Sequence, residues 1–423
     1  MSHHLIVPAA LWIPLRVVKL NLDIGGGRII GDNGHVAFGR ALRATAETLT
    51  TLKLGMSYLS LHDPELVKFC QAGLSHLRGV KYLSLDLSSN RLTNVGVDTL
   101  QHSLGPMVKH MELILSFNVD VKCLHLHTVK SLHTATLQLS GMSMIDIRIP
   151  DQVMHLSVDL RAVIQRQPFN DTNPMLNAPI RLAGIELIRR MILFLDHKNA
   201  LPILQQITPP APDMTLELEL EMSLYPPVDA MHRVFDLVAQ HGLLGTLASL
   251  RFAFLSRSVC PLLDPLPRTL TAASTCLSRL YIQLPLNVVP TLVLSILMVV
   301  ARDLCHLTHF HFVMDGTASH VDVHTIAPCT EFARKGRILR DVQLDFNRTR
   351  LTDMAVALLL NTAVKRHQLD RLNRTNLKFE GVSAGKYTLQ VLYTHMACIG
   401  CSFHFYPPMS DALAQIQNLC YPF

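Results

Sequence analysis

Apolar residues recur at alternate positions in short segments along most of the chain. In the clearest segment, Leu83, Leu85 and Leu87 alternate with polar residues. This period of two residues predicts a β-strand with one buried face. The polar stretch around Asn90 then predicts a turn, and residues 95–104 predict a short helix running back. The segment therefore predicts one strand-turn-helix unit.

The same pattern returns along the chain at intervals of mostly about 30 residues, a spacing expected of repeat proteins. Each copy has an apolar residue, here called the register residue, followed by alternation. In most copies a second apolar residue lies three positions before it. The register residues are Leu20, Leu52, Leu83, Met111, Ala135, Leu156, Leu216, Leu250, Leu280, Phe310 and Val342, with weaker copies at Leu372 and Cys401. The copies near Met111, Ala135 and Leu156 are shorter, which predicts extended or one-turn returns there.

The segment from Val80 to Leu100 resembles the leucine-rich repeat family, of the long, ribonuclease-inhibitor-like type. That unit reads L-x-x-L-x-L-x-x-N-x-L and continues into a helix. The resemblance implies an α/β solenoid, with a curved parallel sheet on the concave side and helices or irregular returns on the convex side. In the family, the asparagine satisfies backbone groups where the chain leaves the strand. Asn90, Asn118 and Asn287 occupy this position here.

The repeats divide the chain into three parts. Residues 1–160 and 214–423 are predicted to form N-terminal and C-terminal leucine-rich repeats, whereas residues 161–213 break the rhythm. Within this break, the apolar residues of 188–195 fit both helical spacing and the repeat register. We favour an irregular, helical excursion over a hidden strand at this point.

Composition excludes some classes of protein. The 423 residues are 49% hydrophobic and 17% charged, which is too apolar for a disordered chain. The net charge of +6 without a basic cluster does not indicate a nucleic-acid partner. Nine scattered cysteines in mostly apolar segments predict free thiols and a cytoplasmic location. Prolines interrupt the longest apolar segment, residues 284–301, and no basic leader precedes the first strand, so we expect no membrane partner.

Motifs for catalysis or cofactor binding are weak. Cys398, Cys401 and His404 have a spacing that could chelate zinc, but no second Cys/His pair stands at finger spacing. The glycines at 25–27 lack the Gly-Lys-Ser/Thr of a phosphate loop, and no hydrolase motif is present. We therefore predict a protein that is not an enzyme and that needs no metal or cofactor.

Strand residues that point away from the core are the best candidates for a binding surface. The column three positions after the register residue contains five acids and no base, and the column one position after it is mixed. The candidate partner-binding residues are Asp23, Asp86, Glu112, Asp159, Glu217, Glu219, Arg251, Tyr281, His311 and Asp345. One interpretation is a surface that attracts a basic partner. The alternative is that a solvated sheet needs charge for solubility.

The resemblance implies a binding module, because leucine-rich repeat proteins mostly hold another protein on the concave sheet. Our leading hypothesis is a non-catalytic, intracellular scaffold for protein-protein interaction. The alternative is a regulator of a small GTPase, because Ran GTPase-activating proteins have similar repeats; Arg257 and Arg350 are weak candidates there. A ubiquitin-ligase substrate receptor is less favoured, because no adaptor domain precedes the first repeat. Neither end has a recognisable cap, so we also expect a partner or self-association through the ends of the solenoid.

Overall fold

The computed structural model forms two compact units, Met1–Arg189 and Arg190–Phe423. The residues that it describes are 17–26, 34–142, 146–161, 180–207, 210, 213–222, 228–240, 246–254, 265–273, 275–284, 288–315, 320–335, 338–347, 349–369, 374–380, 405 and 406.

The first unit alternates short strands with returning segments. Its described strands are β1 (Lys19–Asp23), β2 (Thr51–Gly55), β3 (Tyr82–Asp86), β4 (His110–Ile114), β5 (Cys123–His125), β6 (Thr134–Gln138), β7 (Asp146–Arg148), β8 (His155–Asp159) and β9 (Arg181–Ala183). Its described helices are α1 (Gly34–Arg43), α2 (Asp63–Ala72) and α3 (Asn94–Ser103). The main sheet is parallel, in the order β1-β2-β3-β4-β6-β8, and β5-β7-β9 form a small second sheet.

The second unit repeats this plan with longer elements. Its described strands are β10 (Arg190–Asp196), β11 (Thr215–Met222), β12 (Leu247–Phe254), β13 (Arg279–Leu284), β14 (His309–Asp315), β15 (His320–Val321), β16 (Asp341–Asn347), β17 (Arg350–Leu351), β18 (Arg374–Glu380) and β19 (Phe405–Tyr406). Its described helices are α4 (His197–Gln206), α5 (Val228–Gln240), α6 (Leu266–Ala272), α7 (Pro290–Arg302), α8 (Val323–Ile326), α9 (Glu331–Arg334) and α10 (Asp353–Leu369). The sheet order is β10-β11-β12-β13-β14-β16-β18-β19, all parallel, and β15 pairs with β17.

The register residues form the core of this repeat solenoid. In the first unit, Leu20, Leu52 and Leu83 lie side by side on neighbouring strands, and the row continues through Met111 to Leu156. In the second unit a matching row consists of Leu250, Leu280, Phe310 and Val342. Except for the half-buried Leu20, these side chains are almost fully buried. The predicted α/β repeat fold is thereby confirmed.

Two predictions of local structure have different outcomes. The short returns are confirmed, since β4 is followed by the three-residue strand β5 and a single turn at Leu126–Thr128. The helical excursion is wrong for residues 190–196, which form β10, and a helix, α4, begins only at His197. Met191, Leu193 and Leu195 are fully buried at period two, because this segment supplies a strand to the sheet of the second unit. Residues 162–179 lie outside the described chain.

The register of β11 also differs from the prediction. Leu218, not Leu216, lies opposite Leu250. Leu216 pairs with Leu247, so that Ala248 is an extra residue in β12, a bulge that shifts the register. The sequence of β11, with leucines at 216, 218 and 220, gives no basis for choosing between the two alignments.

Two buried asparagines connect successive repeats of the first unit. The amide oxygen of Asn90 accepts from the backbone N–H groups of Leu59 and Leu61, at 3.1 and 3.0 Å. Its nitrogen donates to the carbonyls of Met56 and Leu87, both at 2.9 Å. Asn118 makes the equivalent set, accepting from Leu92 N–H and donating to the carbonyls of Leu87 and Leu115. The predicted role of both asparagines is confirmed, and Asn287 lies outside the described residues.

In the second unit, a buried arginine connects neighbouring elements through hydrogen bonds. Arg366 of α10 is fully buried, and its guanidinium donates to the carbonyls of Phe332 and Leu339 at 2.8 and 2.5 Å. It also donates to Thr375 Oγ1 of β18 at 3.1 Å. Burial lowers the pKa of Arg366 to about 10, against the opposing effect of Asp341, so the side chain stays charged at neutral pH. Arg366 therefore joins α10 to α9, to the segment before β16 and to β18.

Burial predicts different reactivity for three of the five described thiols, Cys70, Cys329 and Cys305. Burial raises the pKa of Cys70 to about 12 and raises that of the fully buried Cys329 as well. Only about one Cys70 thiol in ten thousand is ionised at pH 8, and the thiolate is the reactive form. Cys305 is exposed. We expect iodoacetamide at pH 8 to alkylate Cys305 in the native protein while Cys70 and Cys329 remain unmodified, as measured by peptide mass spectrometry. Equal labelling of the three would contradict this burial.

Among the described helices, none has both the length and the apolar character needed to cross a bilayer.

Candidate functional site

The candidate site of the second unit lies on the sheet face formed by residues that alternate with the core. The row nearest the start of the strands consists of Ile192, Glu217, Ser249, Arg279, His309, Asp341 and Arg374. The middle row consists of Phe194, Glu219, Arg251, Tyr281, His311, Gln343 and Asn376. The third row contains Asp345 and Lys378 side by side.

The first two rows line an open depression of about 470 Å³ between β10 and β16, here called the sheet hollow. Five of the predicted residues line it: Glu217, Glu219, Arg251, Tyr281 and His311. A sixth, Asp345, is only 8% exposed and contacts His311. The sequence thus selected side chains that the sheet brings together.

Glu217 connects two arginines across the sheet. Its Oε1 accepts from Arg190 Nη2 at 2.7 Å, and its Oε2 lies 2.7 Å from Arg279 Nη2. The carboxylate is 15% exposed, whereas the two arginine side chains are 50% and 47% exposed. The acid therefore lies below the guanidinium groups that it pairs with.

Tyr281 is the centre of an aromatic and cationic cluster. The guanidinium carbon of Arg251 lies 4.4 Å from the centre of the Tyr281 ring, and Arg251 Nη1 lies 3.6 Å from Glu219 Oε2. His311 contacts the same ring edge-on, with centroids 4.6 Å apart. Burial raises the pKa of Tyr281, and the charge of Arg251 opposes this rise. Stacking on Tyr281 holds the Arg251 side chain in place over the hollow.

Asp345 contacts the His311 side chain of this cluster. Its Oδ2 lies 2.9 Å from His311 Nε2 and accepts from Gln343 Nε2 at 3.0 Å. Lys378 Nζ approaches the same oxygen at 3.8 Å. Asp345 thus positions His311 against Tyr281 and is itself covered.

In the first unit, three aspartates of the predicted acidic column stabilise the turns that follow their strands. Asp23, Asp86 and Asp159 each end a strand, and each accepts a hydrogen bond from the backbone N–H of the residue two positions later, at 2.9, 2.9 and 3.1 Å. This is the turn that aspartate commonly stabilises. Asp159 also forms an ion pair with Arg161 at 2.7 Å. Glu112 accepts a hydrogen bond from Ser84 at 2.9 Å.

Basic side chains also lie on the open face of the sheet, in a column that the prediction did not include. This column consists of the strand residues one position before the register residue, which also point to the open face. Several are basic: Lys19, His110, His155, Arg279, His309 and, on β18 opposite Asp341, Arg374. Glu219 lies opposite Arg251, two residues from the predicted alignment, which placed it in one column with Ala253. The alternation of strand residues was the signal that could have found these bases.

Metal ligation has no geometric support in the described part of the chain, where no three His, Cys, Asp or Glu side chains are grouped to hold an ion. Cys398, Cys401 and His404, the zinc candidates, lie outside the described residues.

Comparison of the sequence with models of known protein families and with curated proteins finds no match.

Proposed function

We propose that the protein is a non-catalytic scaffold that binds a protein partner on the open face of its sheet. We further propose that its repeats are leucine-rich repeats of the long, ribonuclease-inhibitor-like type, an assignment supported by the asparagine contacts of Asn90 and Asn118. The observation that carries the function is the sheet hollow. It presents a stacked Arg251–Tyr281 pair, and arginine and tyrosine are enriched where protein interfaces bind most strongly.

The charge of the partner differs between the two units in this proposal. A basic partner remains a prediction for the first unit, where Asp86 and Glu112 are half-buried on the open face. In the second unit, the predicted acids Glu217, Glu219 and Asp345 already contact bases of the protein itself. Their attraction for a further base is correspondingly reduced.

The other hypotheses remain predictions. Arg350 is exposed on β17, outside the main sheet, and Arg257 lies outside the described residues. Neither therefore favours GTPase regulation. Self-association also remains a prediction. A cytoplasmic location is part of our proposal, supported by the five described cysteines, all free thiols.

The scaffold proposal predicts face-dependent capture of a partner. We expect affinity purification with the intact protein to capture at least one protein that is lost with the variant Arg251→Ala/Tyr281→Ala, because this change removes the stacked pair. The control is Glu331→Gln/Arg334→Gln, which removes an exposed ion pair on α9. Thermal unfolding establishes that each variant is folded. Identical captured proteins for all three chains would contradict binding at this face.

A further inference from the structure

The charges of the sheet hollow are separated by depth. Glu217 and Glu219 are 15% and 16% exposed, whereas Arg251 and Arg279 of the hollow are each 47% exposed, and Arg190 beside the hollow is 50% exposed. His309 is also exposed in the row of Arg279. A molecule that approaches this face therefore meets guanidinium groups first, with their carboxylates beneath them.

The arginines retain donors for a ligand. A guanidinium has five N–H donors, and Arg279 contacts Glu217 through one nitrogen. Arg251 contacts Glu219 at the longer distance of 3.6 Å and is fixed by the Tyr281 ring. A planar guanidinium held in this way suits carboxylate binding, because less side-chain freedom is lost when the ligand binds.

From this arrangement we propose that the sheet hollow binds an extended, acidic segment of a partner protein, with its carboxylates on Arg251 and Arg279. This rests on the proposed scaffold function and names the chemistry of its partner. The five strands β11, β12, β13, β14 and β16 span about 20 Å, which matches about six residues of an extended chain. Asp341 marks the far end of the hollow, where it pairs in register with the exposed Arg374.

Synthetic peptides test this charge preference on the full chain. The probes are fluorescein-labelled octamers of glutamate, glutamine and lysine, and binding is measured by fluorescence anisotropy at low salt. We expect oligoglutamate to bind at least about tenfold more tightly than oligoglutamine, and to weaken as salt is added. Equal affinity for these two peptides, or tighter binding of oligolysine, overturns the proposal.

Three variants assign the binding to the hollow. Arg251→Gln/Arg279→Gln should weaken oligoglutamate binding by about tenfold or more. Glu217→Gln should strengthen it, because the substitution removes the carboxylate that competes for Arg190 and Arg279. Arg334→Gln on α9 is the control, and it should leave the affinity for oligoglutamate unchanged. A loss of binding as large in the control as in the double variant overturns the assignment, and so does weaker binding by Glu217→Gln.

Two further outcomes separate the alternatives. If an oligothymidylate octamer binds more tightly than oligoglutamate and depends on the same two arginines, the hollow is a nucleic-acid site and the peptide proposal fails. The affinity purification can find a partner whose capture depends on this face while oligoglutamate does not bind. In that case the scaffold function stands, and only the proposal that the partner segment is acidic is overturned.

Discussion

Replacing Asn90 by alanine is expected to lower the free energy of unfolding by about 3 kcal/mol, because buried backbone groups of two repeats lose their partners at once. The N–H groups of Leu59 and Leu61 lose an acceptor, and the carbonyls of Met56 and Leu87 lose a donor. Water cannot replace the amide at a site that is 7% exposed without opening the turn. Urea unfolding followed by circular dichroism measures the change.

Two further variants make this test specific. Asn90→Asp keeps an acceptor for the two N–H groups but cannot donate when ionised, so we expect it to be destabilised as well. Asn21→Ala, on the exposed face of β1, should change the free energy of unfolding by less than about 0.5 kcal/mol. If Asn90→Ala is as stable as Asn21→Ala, the asparagine does not hold the repeats together.

Replacing Arg366 by methionine is expected to destabilise the protein by about 3 kcal/mol. Methionine approximates the length of the side chain but leaves the carbonyls of Phe332 and Leu339 without their donors. The cost of burying the guanidinium charge is removed by the same change, and this offsets part of the loss. Urea unfolding gives the magnitude, and hydrogen exchange should show faster exchange in α9 and β18.

The neighbouring Lys365 provides the control, because it is exposed on the same helix. Lys365→Met changes charge and shape similarly without removing a buried hydrogen bond, so its effect should be small. An Arg366→Met protein with unchanged stability would show that these contacts contribute nothing net to the fold.

The sequence predicted the features that depend on alternation over several residues. The buried rows through Leu83 and Leu280, and the turn role of Asn90, follow from a period of two and a fixed offset. The strand at 190–196 was missed because the apolar residues of 188–195 fit both helical and strand spacing, and burial within a sheet decided between them. Local periodicity cannot supply that tertiary information.

The sequence predicted several residues of the candidate site, but it did not predict which of their charges form pairs or how deeply each charge is buried. Glu217, Arg251 and Tyr281 were selected because strand residues alternate in direction. Their pairings depend on which residues face each other across strands, and a single extra residue in β12 changes that assignment. The depth at which each charge lies also depends on neighbouring side chains, which spacing along one strand does not reveal.

The extra residue at Ala248 has a consequence for engineering. Regular pairing of β12 with β11 from Leu247 through Ala248 would turn Leu250 to solvent and Arg251 to the interior, so β12 needs a neighbouring strand that accommodates the bulge. A shortened or lengthened version of the array would need to keep β11 and β12 together as one indivisible block.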